Sequence, residues 1–213
     1  ITPELMLRRG VDVGGEFRYL ESNYQGRVNA HYMPDDKLRG RSRWGYFVRH
    51  NGLYDTGVQT IGGLGFGLNL NRVSDNNHWR DFTRKGLSLT TRLLANDGAL
   101  SWSRGDFTAT ARALKWQTLQ DVTAPIVPPY DRVPQLTGRW ARTNDRGFDY
   151  SVEADYTRFR ADRLLTLQPD ADRSYVWAQA SRPFVRPWGF FTPKVQMHAA
   201  HYAFDGTLVD GAS

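Results

Sequence analysis

Residues 11–33 constrain the fold more than any other stretch, because they alternate twice. Every second residue from Val11 gives Val11, Val13, Gly15, Phe17 and Tyr19, with Asp12, Gly14, Glu16 and Arg18 between them. After a polar break at Glu21-Ser22-Asn23 the pattern resumes. One row then reads Tyr24, Gly26, Val28, Ala30, Tyr32 and the other Gln25, Arg27, Asn29, His31. Successive side chains leave a strand on opposite sides, so each run predicts a strand with one apolar and one wet face. The short polar join makes the pair an antiparallel hairpin. The apolar row carries aromatics at its ends and small or β-branched residues in the middle, and the wet row is charged, which a dry core would not accept. On this hairpin alone, a half-buried soluble sheet and a membrane barrel fit equally well.

The remaining composition removes several classes. The chain has 213 residues, 40% of them hydrophobic, and a formal charge of +6. No apolar run approaches the roughly 20 residues of a spanning helix, which excludes a helical membrane protein but not a barrel, whose polar lumen and loops dilute the average. With no cysteine, neither a disulfide framework nor a thiolate metal site can form within the stretch. The positive charge is dispersed rather than gathered in a patch or basic helix, which argues against nucleic-acid binding. The chain opens on Ile1 and already reads as strand there, so it is expected to be an internal segment of a longer protein.

Taken in order, 1–7 predicts a short strand. Pro3 makes it an edge or a weakly paired one, because proline has no ladder donor. The hairpin follows, then a polar loop over 34–40 and a strand over 42–50. A long strand over 58–73 sets Leu64, Phe66, Leu68 and Leu70 against a glycine- and asparagine-rich row, Gly63, Gly65, Gly67, Asn69 and Asn71. A glycine face requires a close neighbour or a strongly bent sheet. The connection 74–89 is long and polar, which often marks function. Further strands are predicted near 93–103, from 107, near 134–142, over 148–157 (where Asp149, Ser151, Glu153, Asp155 and Thr157 share one face), near 173–182 and over 190–204. The result is an all-β antiparallel meander of about eleven strands with no amphipathic helix. Repetition of wet, charged rows favours part of a large transmembrane β-barrel over a sandwich. Connections after the second, sixth, eighth and tenth strands are read as short and those after the fifth, seventh and ninth as well past ten residues, the asymmetry of outer-membrane barrels.

Several short blocks resemble a known family. Gly15-Glu16-Phe17-Arg18-Tyr19-Leu20, Tyr32-Met33-Pro34-Asp35-Asp36-Lys37, Asn71-Arg72-Val73-Ser74-Asp75-Asn76 with Arg80-Asp81-Phe82, Tyr130-Asp131-Arg132-Val133-Pro134-Gln135-Leu136, and the strand over 192–202 are similar, in the same order, to the barrel of the LPS-assembly outer-membrane protein family, LptD. The resemblance implies a periplasmic jellyroll followed by a barrel of about 26 strands, with this stretch, 1–213, holding roughly the second to twelfth. It implies lipopolysaccharide as the cargo, an LptE-like outer-membrane lipoprotein plugging the lumen, and a periplasmic LPS-bridge protein docking on a jellyroll outside this stretch. It also implies delivery to the outer leaflet through a seam between first and last strands. Pro3 then becomes a candidate for the lateral gate, since a missing N–H weakens pairing. Asp12, Glu16, Arg18, Gln25, Arg27, Asn29, Asp149, Glu153 and Asp155 become candidates for the lumen wall. Asn71, Arg72, Ser74, Asp75, Asn76, Arg80, Asp81 and Phe82 form the family-motif loop, and its part over 74–82 is expected to fold into the lumen as a stopper, the bland alternative being a hydrated surface loop.

Other constellations weigh less. His198 and His201 are three apart on a strand, hence on opposite faces, which suits no shared metal site; no metal or other cofactor is expected. No motif marks a nucleophilic serine, so catalysis is not expected. The run 62–67 alternates Gly with Leu and Phe and is no phosphate loop. A general diffusion porin is the alternative function, and a soluble carbohydrate-binding module a distant third.

Overall fold

The structure, a computed structural model, describes residues 1–57, 62–82 and 92–206. Its main element is one antiparallel sheet of eleven strands in sequence order. They are β1 (Thr2–Met6), β2 (Gly10–Leu20), β3 (Tyr24–Asp36), β4 (Arg41–Asp55), β5 (Gly63–Val73), β6 (Leu93–Arg104), β7 (Phe107–Thr118), β8 (Asp131–Asp145), β9 (Phe148–Arg160), β10 (Asp170–Ser181) and, last in the sheet, β13 (Lys194–Asp205). A one-turn helix, α1 (His78–Asp81), follows β5, and a separate hairpin, β11 (Phe184–Arg186) with β12 (Gly189–Phe191), is inserted before β13. The sheet is not closed: β1 and β13 are its two edges.

Register carries the alternation of each strand across the whole sheet. Val28 faces Phe17 and Val48, Leu68 pairs with His50 and Gly98, Ala111 with Leu100 and Leu136, and Ala154 with Gly138 and Val176, so the apolar rows form one continuous face. Among the described residues no second large sheet covers it, and Phe17 stands 64% exposed. Aromatic rings concentrate at its two margins. At one margin Phe17, Tyr19, Tyr24, His50 and Phe66 touch in series, continued further along by Phe107, Trp140, Tyr150 and Phe148. At the other stand Tyr32 and the stacked pair Trp44 and Tyr46. A band of small and aliphatic residues between two aromatic girdles is the lipid-facing pattern of an outer-membrane barrel. The opposite face is polar, with Glu16 beside Asn29, Arg27 beside Arg49, and Gln135 and Thr137 beside Asp155.

Several boundaries differ from the sequence reading. β3 continues through Pro34 to Asp36, with a register shift between Met33 and Asp36 that absorbs the proline, so the loop shrinks to 37–40. The ninth connection is 161–169, shorter than expected, whereas the tenth, read as short, is 182–193. The last predicted strand is two elements. Pro183, Pro187 and Pro193 cannot donate to a ladder, so the chain leaves the sheet as the β11–β12 hairpin and rejoins at Lys194. The start of the strand predicted over 58–73 lies partly outside the described residues. The glycine row of β5 is approached by neighbouring strands: a Cβ at Gly65 would lie 2.3 Å from the Ser101 hydroxyl, and one at Gly63 would lie 3.3 Å from Leu53.

Candidate functional site

The long connection after β5 turns inward because of its first residues. Ser74 donates its backbone N–H to the Trp44 carbonyl (2.9 Å), extending the contact with β4 past the ladder. The Asp75 carboxylate accepts from the Ser74 hydroxyl (2.7 Å) and from the Asn77 N–H (3.0 Å), an Asx turn that leads directly into α1. The single turn of α1 lies over the polar face. Trp79 packs with Phe47 on a buried cluster of Val73, Leu94 and Leu119.

Arg43, on the polar row of β4, anchors this arrangement and is 0% exposed. Its guanidinium forks onto Asp75 (2.8 and 2.9 Å) and also donates to Asp36 (3.1 Å) and Asp81 (2.7 Å). Arg9 bridges Asp36 and Asp81 (2.7 and 2.8 Å), Arg39 adds to Asp81 (3.0 Å) and Arg41 to Asp75 (3.2 Å). Three carboxylates therefore face four guanidiniums, Arg9 from the connection before β2, Arg39 from that before β4, and Arg41 and Arg43 from β4 itself. Removing Arg43 would leave buried carboxylates without their central partner. Burial alone would raise the Asp75 carboxyl, but hydrogen bonds from Arg43 and Ser74 hold it below the ordinary carboxylate range. For Asp81, Arg9, Arg43 and Arg39 likewise outweigh burial.

Beside this cluster runs a histidine relay. Asp12 accepts from His31 Nδ1 (3.1 Å), which leaves His31 Nε2 as an acceptor for His78 Nε2–H (2.8 Å). The relay fixes both tautomers when both rings are neutral. Burial, then the neighbouring His31 and Arg43, lower the His78 pKa to about 4. Phe82 closes the group: its ring stacks on His78 (4.7 Å) and lies under the Arg43 guanidinium (4.6 Å). Gly45 makes the space, since a Cβ there would stand 2.6 Å from His31 Nε2.

The motif loop thus divides. Ser74, Asp75, Asp81 and Phe82 enter the cluster, and Arg80 pairs instead with Asp121 on the connection after β7. Asn71 binds Asn69 (3.2 Å) and the Ala95 carbonyl (2.6 Å) on the polar face, whereas Arg72 and Asn76 are exposed. The resembling blocks 32–37, 71–76 and 80–82, distant in sequence, meet at this one place through Asp36, Asp75 and Asp81. Arg9, His31, Arg43, Gly45 and His78 complete the cluster without having been singled out for it. The signal for Arg43 and Gly45 was their place on the wet row of β4, a charge and a gap opposite a polar loop.

Beside His31 lies a concavity of about 520 Å³ in which Glu16, Arg27, Asn29, Arg49 and Asn71 share the lining with Phe47. Glu16 pairs with Arg18 and with Arg27 (2.5 Å), and the Asn29 amide bridges Glu16 and Arg27. Gln25 extends the same row and is exposed. Asp12 shares the row but is covered, so it supports His31 rather than offering a surface. Asp149, Glu153 and Asp155 lie far across the sheet on β9 and do not join this group. Asp155 is buried and fully engaged by Arg173 (2.8 Å), Thr157, Gln135 and Thr137. Pro3 is exposed on edge strand β1, opposite Val13. His198 and His201 do lie on opposite faces, opposite Trp177 and Ser174.

Comparison with known proteins gives one consistent result. The family model described as LPS transport system D (LptD) matches residues 41–213. A Polaromonas protein named LPS-assembly protein LptD is 55% identical over 99% of this chain and 26% of its own length. Proteins of the same name from Cupriavidus necator and Bordetella parapertussis are 41% and 38% identical, each over 96% of this chain, covering 24% and 26% of their own lengths. The chain therefore spans about a quarter of the length of the curated relatives it matches.

Proposed function

The chain belongs to the LptD family of LPS transport system D, and we propose that it forms part of the wall of an outer-membrane β-barrel that delivers lipopolysaccharide to the outer leaflet. The observation that carries this reading is the pair of opposed faces on one sheet: an apolar band between aromatic girdles, and a polar face with α1 folded over it. Strands outside this stretch would close the barrel, with the apolar band on hydrocarbon and the polar face around a water-filled lumen.

The mechanism needs no catalytic step. Lipopolysaccharide has an acylated end suited to apolar surroundings and a sugar end that requires water. A polar wall bearing Glu16, Arg18, Gln25, Arg27, Asn29, Asp149 and Glu153 gives sugars replaceable hydrogen bonds, while a lumen lipoprotein keeps so wide a hole from leaking. The α1 segment, tied down by Arg43 at the end bearing the longer connections, acts as a stopper on the outer side. A periplasmic bridge protein, docked on a jellyroll outside this stretch, supplies the cargo. The acyl chains leave sideways at the seam near β1, where Pro3, with no N–H to donate, weakens strand pairing.

The test uses a bacterium depleted of its own copy and complemented with the full-length protein. Newly made lipopolysaccharide should reach the outer leaflet, and the protein should co-purify with a lumen lipoprotein. The Pro3→Ala variant should slow delivery and raise permeability to large antibiotics; an unchanged envelope would overturn the gate. If the protein conducted small solutes without a partner and delivered no lipopolysaccharide, it would be a porin instead.

A further inference from the structure

The proline-bounded excursion 182–193 stands at the end of the sheet that bears the tight turns 21–23, 105–106 and 146–147. It folds as the β11–β12 hairpin, closed at its base by the Arg182 N–H donating to the Pro193 carbonyl (3.1 Å). A hairpin in water hides its apolar side chains if it can. This one presents them: Trp188 is 87% exposed, Phe190 84% and Val185 74%. Its position is set by Arg182, whose guanidinium lies over Phe148 (4.9 Å) and Phe184 (5.1 Å). Phe148 belongs to the girdle of the apolar face, stacked on Tyr150 and through it on Trp140. The hairpin therefore continues the girdle on the apolar side of the sheet, away from the polar face. Its charge is one-sided as well, with Arg182, Arg186 and Lys194 and no carboxylate over 182–194.

We propose that this hairpin is a lipid-docking element. It lays Trp188, Phe190 and Val185 into the interfacial layer of the leaflet on the tight-turn side, and sets Arg182 and Arg186 against lipid phosphate. Aromatic rings with a polar edge and cations on apolar stems favour that layer over both water and hydrocarbon. Anionic headgroups attract a segment with cations alone. The docking would hold the wall at a fixed depth beside the place where the chain returns to the sheet. It rests on the reading that the apolar face meets lipid.

The experiment takes the full-length protein with its lumen partner, reconstituted in vesicles of phosphatidylethanolamine and phosphatidylglycerol. Part of the lipid carries acyl chains brominated close to the headgroup. The Trp188 signal is isolated as the difference between the wild type and Trp188→Phe, and the Trp140 signal through Trp140→Phe. Bromolipid should quench Trp188 about twofold or more, as it does an interfacial tryptophan, and Arg182→Glu with Arg186→Glu should reduce that quenching. If Trp140 is quenched and Trp188 is reached only by aqueous iodide, or by neither quencher, the hairpin lies in water or against a protein and the proposal is overturned. If neither tryptophan is quenched by bromolipid, the lipid-facing reading of the sheet fails first.

Discussion

Arg43 has its guanidinium fully buried among Asp36, Asp75 and Asp81, so its loss would leave three carboxylates short of a partner. Arg43→Met should cost about 3–5 kcal/mol locally, read as lost hydrogen-exchange protection over 74–82 in the full-length protein. His78 adds a dependence on pH with a definite sign. Its folded pKa of about 4 lies below the ordinary 6.5, so its contribution is complete above pH 6.5 and is lost as pH falls from 6.5 towards 4. Asp75 and Asp81, held below 3.8, keep their contribution until still lower pH. Protection of the α1 segment should thus weaken in two stages on acidification, and His78→Gln should diminish the first. Gly45→Ala places a methyl 2.6 Å from His31 Nε2 and should cost about 1–3 kcal/mol. Gly67→Ala, whose nearest neighbour would be Asn51 Oδ1 at 3.7 Å, should be tolerated by the same measurement.

At the level of the strands, the two faces obey different rules. Ala111 lies between Leu100 and Leu136 in the middle of the apolar band, so Ala111→Arg should destabilise the folded barrel by about 2–4 kcal/mol. Thr110, one residue away on the polar row, should accept the same change with little loss. Denaturant titration of the full-length protein in lipid distinguishes the two; equal costs would mean that neither face meets hydrocarbon. The strands themselves were legible because alternation is clean in β2, β3 and β9 and repeats, less strictly, along the chain. Phe190 and Phe191 of β12 look like ladder residues of the strand expected over 190–204, and only Pro187 and Pro193 on either side mark the departure. The single turn of α1 was illegible because four residues carry no helical period.

For the whole molecule, the open edges are decisive. β1 and β13 are the two edges of the sheet the described residues form, and β13 is exposed along its whole length. Residues 1–213 produced alone should therefore aggregate or pair edge to edge rather than refold as a monomer; a monodisperse monomer by light scattering would contradict this. The order of the strands, the separation of lipid-like from water-like faces and the family all follow from the sequence, since each depends on residues close together or on ordered motifs. What required the tertiary structure is the meeting of Asp36, Asp75 and Asp81 around Arg43, and of His31 with His78 over Gly45. Those partners come from separate strands and connections, and register, which no single strand contains, decides which of them share a buried space.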